Sequence, residues 1–172
     1  LVATSYDFRE GAPFRSIPTM LLKDGEYYFT HHHLSYLSIG VPGTVAGLYL
    51  AWEEHGKLPW ESLVKPAIVL ARDGFEVSVG LSRSLKSVLP RMEQYPASVQ
   101  QFSKNGIPYE AGEILKQLDL AGTLERIARE GPAGFYEGET ARLIEMEMQK
   151  NGGLITKNDL RYYKPKTLEP VH

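Results

Sequence analysis

Apolar residues recur with a helical period along most of the chain and with a strand-like alternation only near its start. Val45, Leu48, Tyr49 and Trp52 fall at i, i+3, i+4 and i+7, the stripe of one helical face. Val41-Pro42-Gly43-Thr44 releases that helix, and Gly56 after His55 stops it. A second helix begins about Trp60 and carries Leu63, Val64, Ala67, Leu70 and Ala71 to Asp73-Gly74. Pro66 within it predicts a late start or a kink, because an interior proline costs about 3 kcal/mol. Further stripes predict helices over 78–93, with Val79, Leu81, Leu85, Val88 and Leu89, and over 118–128, introduced by Asp119 and closed by Gly131-Pro132. Another runs from about Gly138 to Lys150. Thr156-Lys157-Asn158-Asp159 is a capping-box pattern that starts a short last helix through Tyr162.

At the start of the chain, β-prone Val2, Tyr6 and Phe8 predict a short strand ending near Arg9, stopped by Gly11-Ala12-Pro13. Asp24-Gly25, between Met20-Leu21-Leu22 and Tyr27-Tyr28-Phe29, is a hairpin signal. The rest of 11–40 reads as irregular. The expectation is a mainly α chain of five or six helices with one or two short strands near its N-terminus. Residues 1–40 form a strand and loop segment, and 41–172 a helical part. Because no Met opens the chain and no packed element is visible at Leu168-Glu169-Pro170-Val171-His172, the whole is expected to be one incomplete domain.

Composition narrows the function classes. Nineteen basic against 21 acidic residues give a net charge of −2, the wrong balance for a nucleic-acid binder and no polybasic handle for a membrane surface. With no cysteine, thiolate catalysis, disulfides and Cys-ligated metals are excluded. His31-His32-His33 has the right residue type for a metal, but consecutive side chains diverge, so it reads as a solvent-facing loop or strand edge and no metal is assigned. Gly40-Val41-Pro42-Gly43 lacks the spacing of a dinucleotide loop, and no cofactor is implied. Histidines occur only at 31–33, 55 and 172, and no G-x-S-x-G elbow is present, so no serine or threonine stands out as a nucleophile.

One cluster is less bland. Asp7-Phe8-Arg9-Glu10 sets an arginine between two acids at the end of the first strand. Spacing alone allows a surface ion pair, or an arginine held by its neighbours with its planar fork turned outward to capture a carboxylate.

Six blocks, in order, resemble the γ-glutamyltranspeptidase family. Residues 7–13 match its DFRE-x-AP signature and residues 40–47 its G-x-PG-T-VAG block. Residues 63–75 match PA-x-x-LA-x-x-GF, residues 118–127 LA-x-TL-x-x-IA, residues 134–138 FY-x-G, and residues 152–160 GGLIT-x-x-DL. The resemblance implies part of the large subunit of a four-layer αββα N-terminal-nucleophile hydrolase, made as a precursor that cleaves itself. In such an enzyme the N-terminal Thr of the small subunit attacks the γ-glutamyl amide of glutathione-like substrates, and water or an amino acid accepts the acyl group. It further implies that Arg9 binds the α-carboxylate of the γ-glutamyl moiety. None of the eight threonines here sits in the family's nucleophile motif, so this chain alone is expected to be inactive and to leave apolar surface open to self-association, as a homodimer or larger. The resemblance places the protein in the periplasm or outside the cell. Related acylases, γ-polyglutamate-processing members and a stand-alone helical interaction module are the rival readings.

Overall fold

The structure, a computed structural model, describes residues 3–170; the expected contribution of Val2 to the first strand lies outside them. The elements in chain order begin with β1 (Ser5–Asp7), β2 (Leu22–Lys23), β3 (Glu26–Tyr27), α1 (Phe29–His33), a 3₁₀ turn (Tyr36–Ser38), α2 (Thr44–His55) and α3 (Trp60–Asp73). Then come β4 (Phe75–Glu76), α4 (Val79–Met92), α5 (Pro96–Phe102), β5 (Ser103–Lys104), β6 (Ile107–Pro108) and β7 (Ile114–Leu115). The chain continues through α6 (Leu118–Glu130), α7 (Ala133–Tyr136), α8 (Gly138–Asn151), α9 (Lys157–Tyr162) and β8 (Lys166–Leu168). The protein is mainly helical, and its strands form short antiparallel pairs: β1 with β8, β2 with β3, β4 with β7, β5 with β6.

All six expected helices are present, as α2, α3, α4, α6, α8 and α9. Helix α4 is capped by the Ser78 hydroxyl, which accepts from the Leu81 amide at 3.1 Å. Helix α3 starts at Trp60, so Pro66 lies inside it and the late start does not occur. The β2–β3 hairpin turns at Asp24 and Gly25 with φ of 54° and 84°, the conformation a two-residue turn needs. Residues 11–40 are less irregular than expected. His31–His33 lie on a single helical turn, where the Tyr28 carbonyl accepts from both the His31 and His32 amides. Their rings pack on Tyr28, Tyr27 and Phe29 respectively, so a helical turn replaces the loop or strand edge expected of them, with His31 and His32 half-buried and His33 exposed.

The chain divides into two compact units. One takes the described part of Leu1–Leu63 with Arg126–His172, the other Val64–Glu125. In the second unit, Ile68, Ala71, Val77, Leu85, Leu89, Leu115 and Ala121 are the buried apolar residues, and the Ser82 hydroxyl, itself buried, donates to the Tyr109 carbonyl at 2.8 Å. In the first unit, Val41, Tyr136, Ala141, Met148, Ile155 and Leu160 form the core, with Tyr36, Val45, Ala46, Phe135, Ile144 and Tyr163 packed against it. That core is gathered from both ends of the sequence. It carries the strand and turn that hold Arg9.

Candidate functional site around Arg9

Strand β1 pairs with β8 in the register Ser5 to Leu168, Tyr6 to Thr167 and Asp7 to Lys166. Immediately after it, the Asp7 carboxylate accepts from the Arg9 amide at 3.1 Å, a side-chain turn of the kind aspartate forms two residues on. The next residues run beside the start of α2: Gly11 and Val41 exchange hydrogen bonds of 3.1 and 2.7 Å. Close approach explains two glycines here. A Cβ at Gly43 would overlap the Phe8 carbonyl and the Tyr163 hydroxyl, and one at Gly47 would overlap the Phe8 ring.

Three side chains from the C-terminal half fix this segment. The Tyr163 hydroxyl donates to the Arg9 carbonyl at 2.8 Å. Tyr136, whose ring lies parallel to that of Tyr163 at 5.8 Å, donates to the Pro42 carbonyl at 2.8 Å and accepts from the Ala46 amide at 3.2 Å. Burial pushes the Tyr136 hydroxyl up to about 12, so at ordinary pH it keeps the proton it donates. Tyr163 is raised too, by burial and by the charges of Asp7 and Glu10.

The third is Asp159, buried at the start of α9, whose Oδ1 accepts from the Phe14 amide at 2.6 Å. Its Oδ2 accepts from the Thr156 amide at 2.7 Å and the Thr156 hydroxyl at 2.5 Å, closing the expected capping box. Burial pushes the Asp159 carboxyl up. The hydrogen bonds from the Thr156 hydroxyl, from the amides of Phe14 and Thr156 and from its own amide outweigh that and hold it below its ordinary value.

The Arg9 backbone is thus pinned while its side chain is exposed. Its guanidinium makes no hydrogen bond or ion pair with any described residue, so the expected hold by Asp7 and Glu10 is not formed; Asp7 is occupied by the Arg9 amide instead. Arg9 lines two adjoining cavities. One, of about 260 Å³, is also lined by Glu10, Asp159, Tyr162, Lys164 and Lys166, and the other, of about 680 Å³, by Tyr6, Phe8, Gly43 and Thr44. A planar cation with five donors and no partner among the described residues is equipped for bidentate capture of a carboxylate.

The other candidate chemistry is not assembled. Among the described residues no cluster of three His, Asp or Glu could hold a metal. His33 and His55 meet the hydroxyls of Tyr27 and Tyr6, each at 2.8 Å, not a serine or threonine. The Thr140 hydroxyl is buried between the Gly134 carbonyl and Arg126 Nε. Sequence reasoning assigned no role to Tyr136, to Asp159 beyond the capping box, or to Tyr163. The first two stand in blocks it had matched, and all three act through contacts 90 or more residues away in sequence.

The chain matches the family model described as Gamma-glutamyltranspeptidase over residues 2–172. It is 45% identical to the glutathione hydrolase proenzyme of Escherichia coli strain K12 over 173 aligned positions, which take in 98% of this chain and 29% of that protein. The crystal structure of Helicobacter pylori gamma-glutamyltranspeptidase superposes with a TM-score of 0.95 at 39% identity, covering 98% of this chain and 49% of that one. Bacillus anthracis transpeptidase CapD gives a TM-score of 0.76 at 36% identity, covering 98% and 50%. The chain therefore spans less than a third of the length of the E. coli relative.

Proposed function

Given that this chain belongs to the γ-glutamyltranspeptidase family, we propose that its full-length protein hydrolyses or transfers the γ-glutamyl group of glutathione and related γ-glutamyl amides, with Arg9 binding the α-carboxylate. The chain folds as part of that family's N-terminal-nucleophile hydrolase fold. The observation that supports the reading is the unpaired Arg9 guanidinium, facing a cavity from a backbone fixed by Asp7, Tyr163 and the Gly11–Val41 bridge.

The chemistry follows in order. The guanidinium fork takes both oxygens of the α-carboxylate and fixes the substrate at the end remote from the scissile bond. The γ-carbonyl is then presented to a threonine hydroxyl that heads a second polypeptide of the same precursor, outside these 172 residues. That threonine's own α-amine, which titrates near neutrality, takes the hydroxyl proton as oxygen attacks the carbonyl carbon. The proton passes to the departing amine as the C–N bond breaks, leaving an ester. Water or an amino acid's amine then attacks the ester and restores the hydroxyl. Export to the periplasm or beyond the cell belongs to the same reading.

The test is the full-length protein with Arg9→Ala and Arg9→Lys on glutathione and on a chromogenic γ-glutamyl anilide. Loss of a charge-assisted bidentate contact raises KM by about 10- to 100-fold in Arg9→Ala. Arg9→Lys recovers only part of it, since the ammonium lacks the fork. Unchanged glutathione affinity in Arg9→Ala overturns the assignment, and preference for acyl amides without an α-carboxylate favours an acylase. The 172-residue chain alone is expected to release no chromophore from the anilide.

A further inference from the structure

The residues on either side of Asp7 both reach helix α2. Phe8 lies against Gly43 and Gly47, whose missing side chains leave room for its carbonyl and its ring. Tyr6 reaches the same helical face two turns further on, at Glu54 and His55 in the last turn. Its hydroxyl donates to Glu54 Oε2 and lies 2.8 Å from His55 Nε2, with the two rings edge to face at 6.1 Å. His55 Nε2 stands 3.8 Å from the same Glu54 oxygen, so the three side chains form one cluster.

The proton count gives each contact one sense. A phenol has a single proton and an ionised carboxylate only accepts, so that proton lies toward Glu54. His55 must then donate from Nε2 to the phenol oxygen, which both the imidazolium and the Nε2–H tautomer can do. The hydrogen bond to Glu54, with loss of hydration and the Glu54 charge behind it, pushes the Tyr6 hydroxyl up to about 12, so it remains a donor at ordinary pH. Tyr6 lines the larger Arg9 cavity, whereas Glu54 and His55 line neither of the two.

Asp7 thus sits between two anchors on one helix, and its carboxylate in turn holds the Arg9 amide. The ladder that carries this segment is only three residues long, with Tyr6 opposite Thr167. With Phe8 alone against α2 the segment has one point of support and can pivot about it; the Tyr6 contact supplies the second. We infer that Tyr6, fixed by Glu54 and His55 at the end of α2, is a positioning residue that sets the angle at which Arg9 enters its cavity. The inference rests on the γ-glutamyl reading above, since Arg9 is the group being positioned.

The test is a double-mutant cycle on the full-length protein, with Tyr6→Phe, Glu54→Ala and Glu54→Gln each made alone and with Arg9→Ala. KM and kcat are measured on the γ-glutamyl anilide. A calorimetric Kd for free glutamate, which carries the α-carboxylate and has no bond to cleave, gives the same comparison without turnover. Tyr6→Phe and Glu54→Ala are each expected to raise KM and the glutamate Kd about three- to tenfold with kcat unchanged, the signature of lost binding common to ground and transition states. Glu54→Gln recovers most of this, because its amide oxygen still accepts from the phenol. In the Arg9→Ala background the same substitutions leave both constants where Arg9→Ala alone puts them.

An equal rise in both backgrounds makes the cluster a general prop of the fold and overturns the positioning role while leaving Arg9 intact. Unchanged constants in Tyr6→Phe and Glu54→Ala overturn it as well. A rise in Tyr6→Phe without one in Glu54→Ala makes Tyr6 a substrate contact instead. If Arg9→Ala itself changes neither constant, the γ-glutamyl reading fails and the positioning role fails with it.

Discussion

Arg9 is placed by contacts to its backbone and not to its guanidinium, so their loss and its loss have different signatures. Tyr163→Phe removes the hydroxyl that donates to the Arg9 carbonyl but keeps the ring that stacks on Tyr136. The expected cost is about 1 kcal/mol of stability, read by denaturant titration, together with a rise in KM for γ-glutamyl substrates smaller than that of Arg9→Ala. Asp159 carries a pH signature. Its folded-state carboxyl titrates below its unfolded value, so its stabilisation is fully present above the unfolded pKa of about 4 and is lost as pH falls through the lower folded value. Asp159→Ala is therefore expected to cost about 2 kcal/mol near neutrality, where the cap and the Phe14 tie are broken, and progressively less below pH 4. Melting temperatures of both proteins from pH 7 down to pH 2 test it: a gap that stays constant across the range contradicts the assignment.

Among the elements, helix α2 is held against the Arg9 segment by the absence of side chains. Gly47→Ala raises helix propensity by about 1 kcal/mol, yet the added methyl meets the Phe8 ring, and overpacking of that kind costs about 1–3 kcal/mol. The expected net effect is destabilising, and because the Phe8 Cβ itself would lie 2.3 Å from the new methyl, Phe8→Ala should not recover the propensity gain; thermal melts of Gly47→Ala, Phe8→Ala and the double variant decide it. Long helices were legible because α3, α4 and α6 repeat an apolar stripe over three or more turns. Helix α1 and helix α7 span five and four residues, too short for any period to show. The β5–β6 hairpin was legible and went unread: Asn105-Gly106, with φ of 52° and 87°, is a strong two-residue turn signal. Strand β8 could not be read locally, since Lys166–Leu168 becomes a strand by pairing with residues some 160 positions earlier. The candidate site was legible in Arg9 and opaque in its supports for the same reason.

Considered as a whole, the molecule leaves large apolar side chains in solvent. Phe14 is 72% exposed, Leu118 64% and Tyr162 62%, and Phe14 and Tyr162 lie with ring centroids 6.3 Å apart beside the Arg9 cavity. The 172-residue chain expressed alone is expected to self-associate, visible as concentration-dependent light scattering, and co-expression with the second polypeptide proposed above is expected to suppress it. A monomer that persists at high concentration would show that these side chains are tolerated singly. Among the described residues no helix is long and apolar enough to cross a membrane, so the exposed aromatics do not belong to a spanning helix.

The turn at Asp7 has one more consequence. By accepting from an amide instead of the neighbouring guanidinium, that carboxylate leaves the fork of the guanidinium open to an outside acceptor. Ordinary laboratory anions will fill the gap. Acetate or formate in the assay buffer should then behave as weak competitive inhibitors, and activities compared between buffers will differ until the counter-ion is matched.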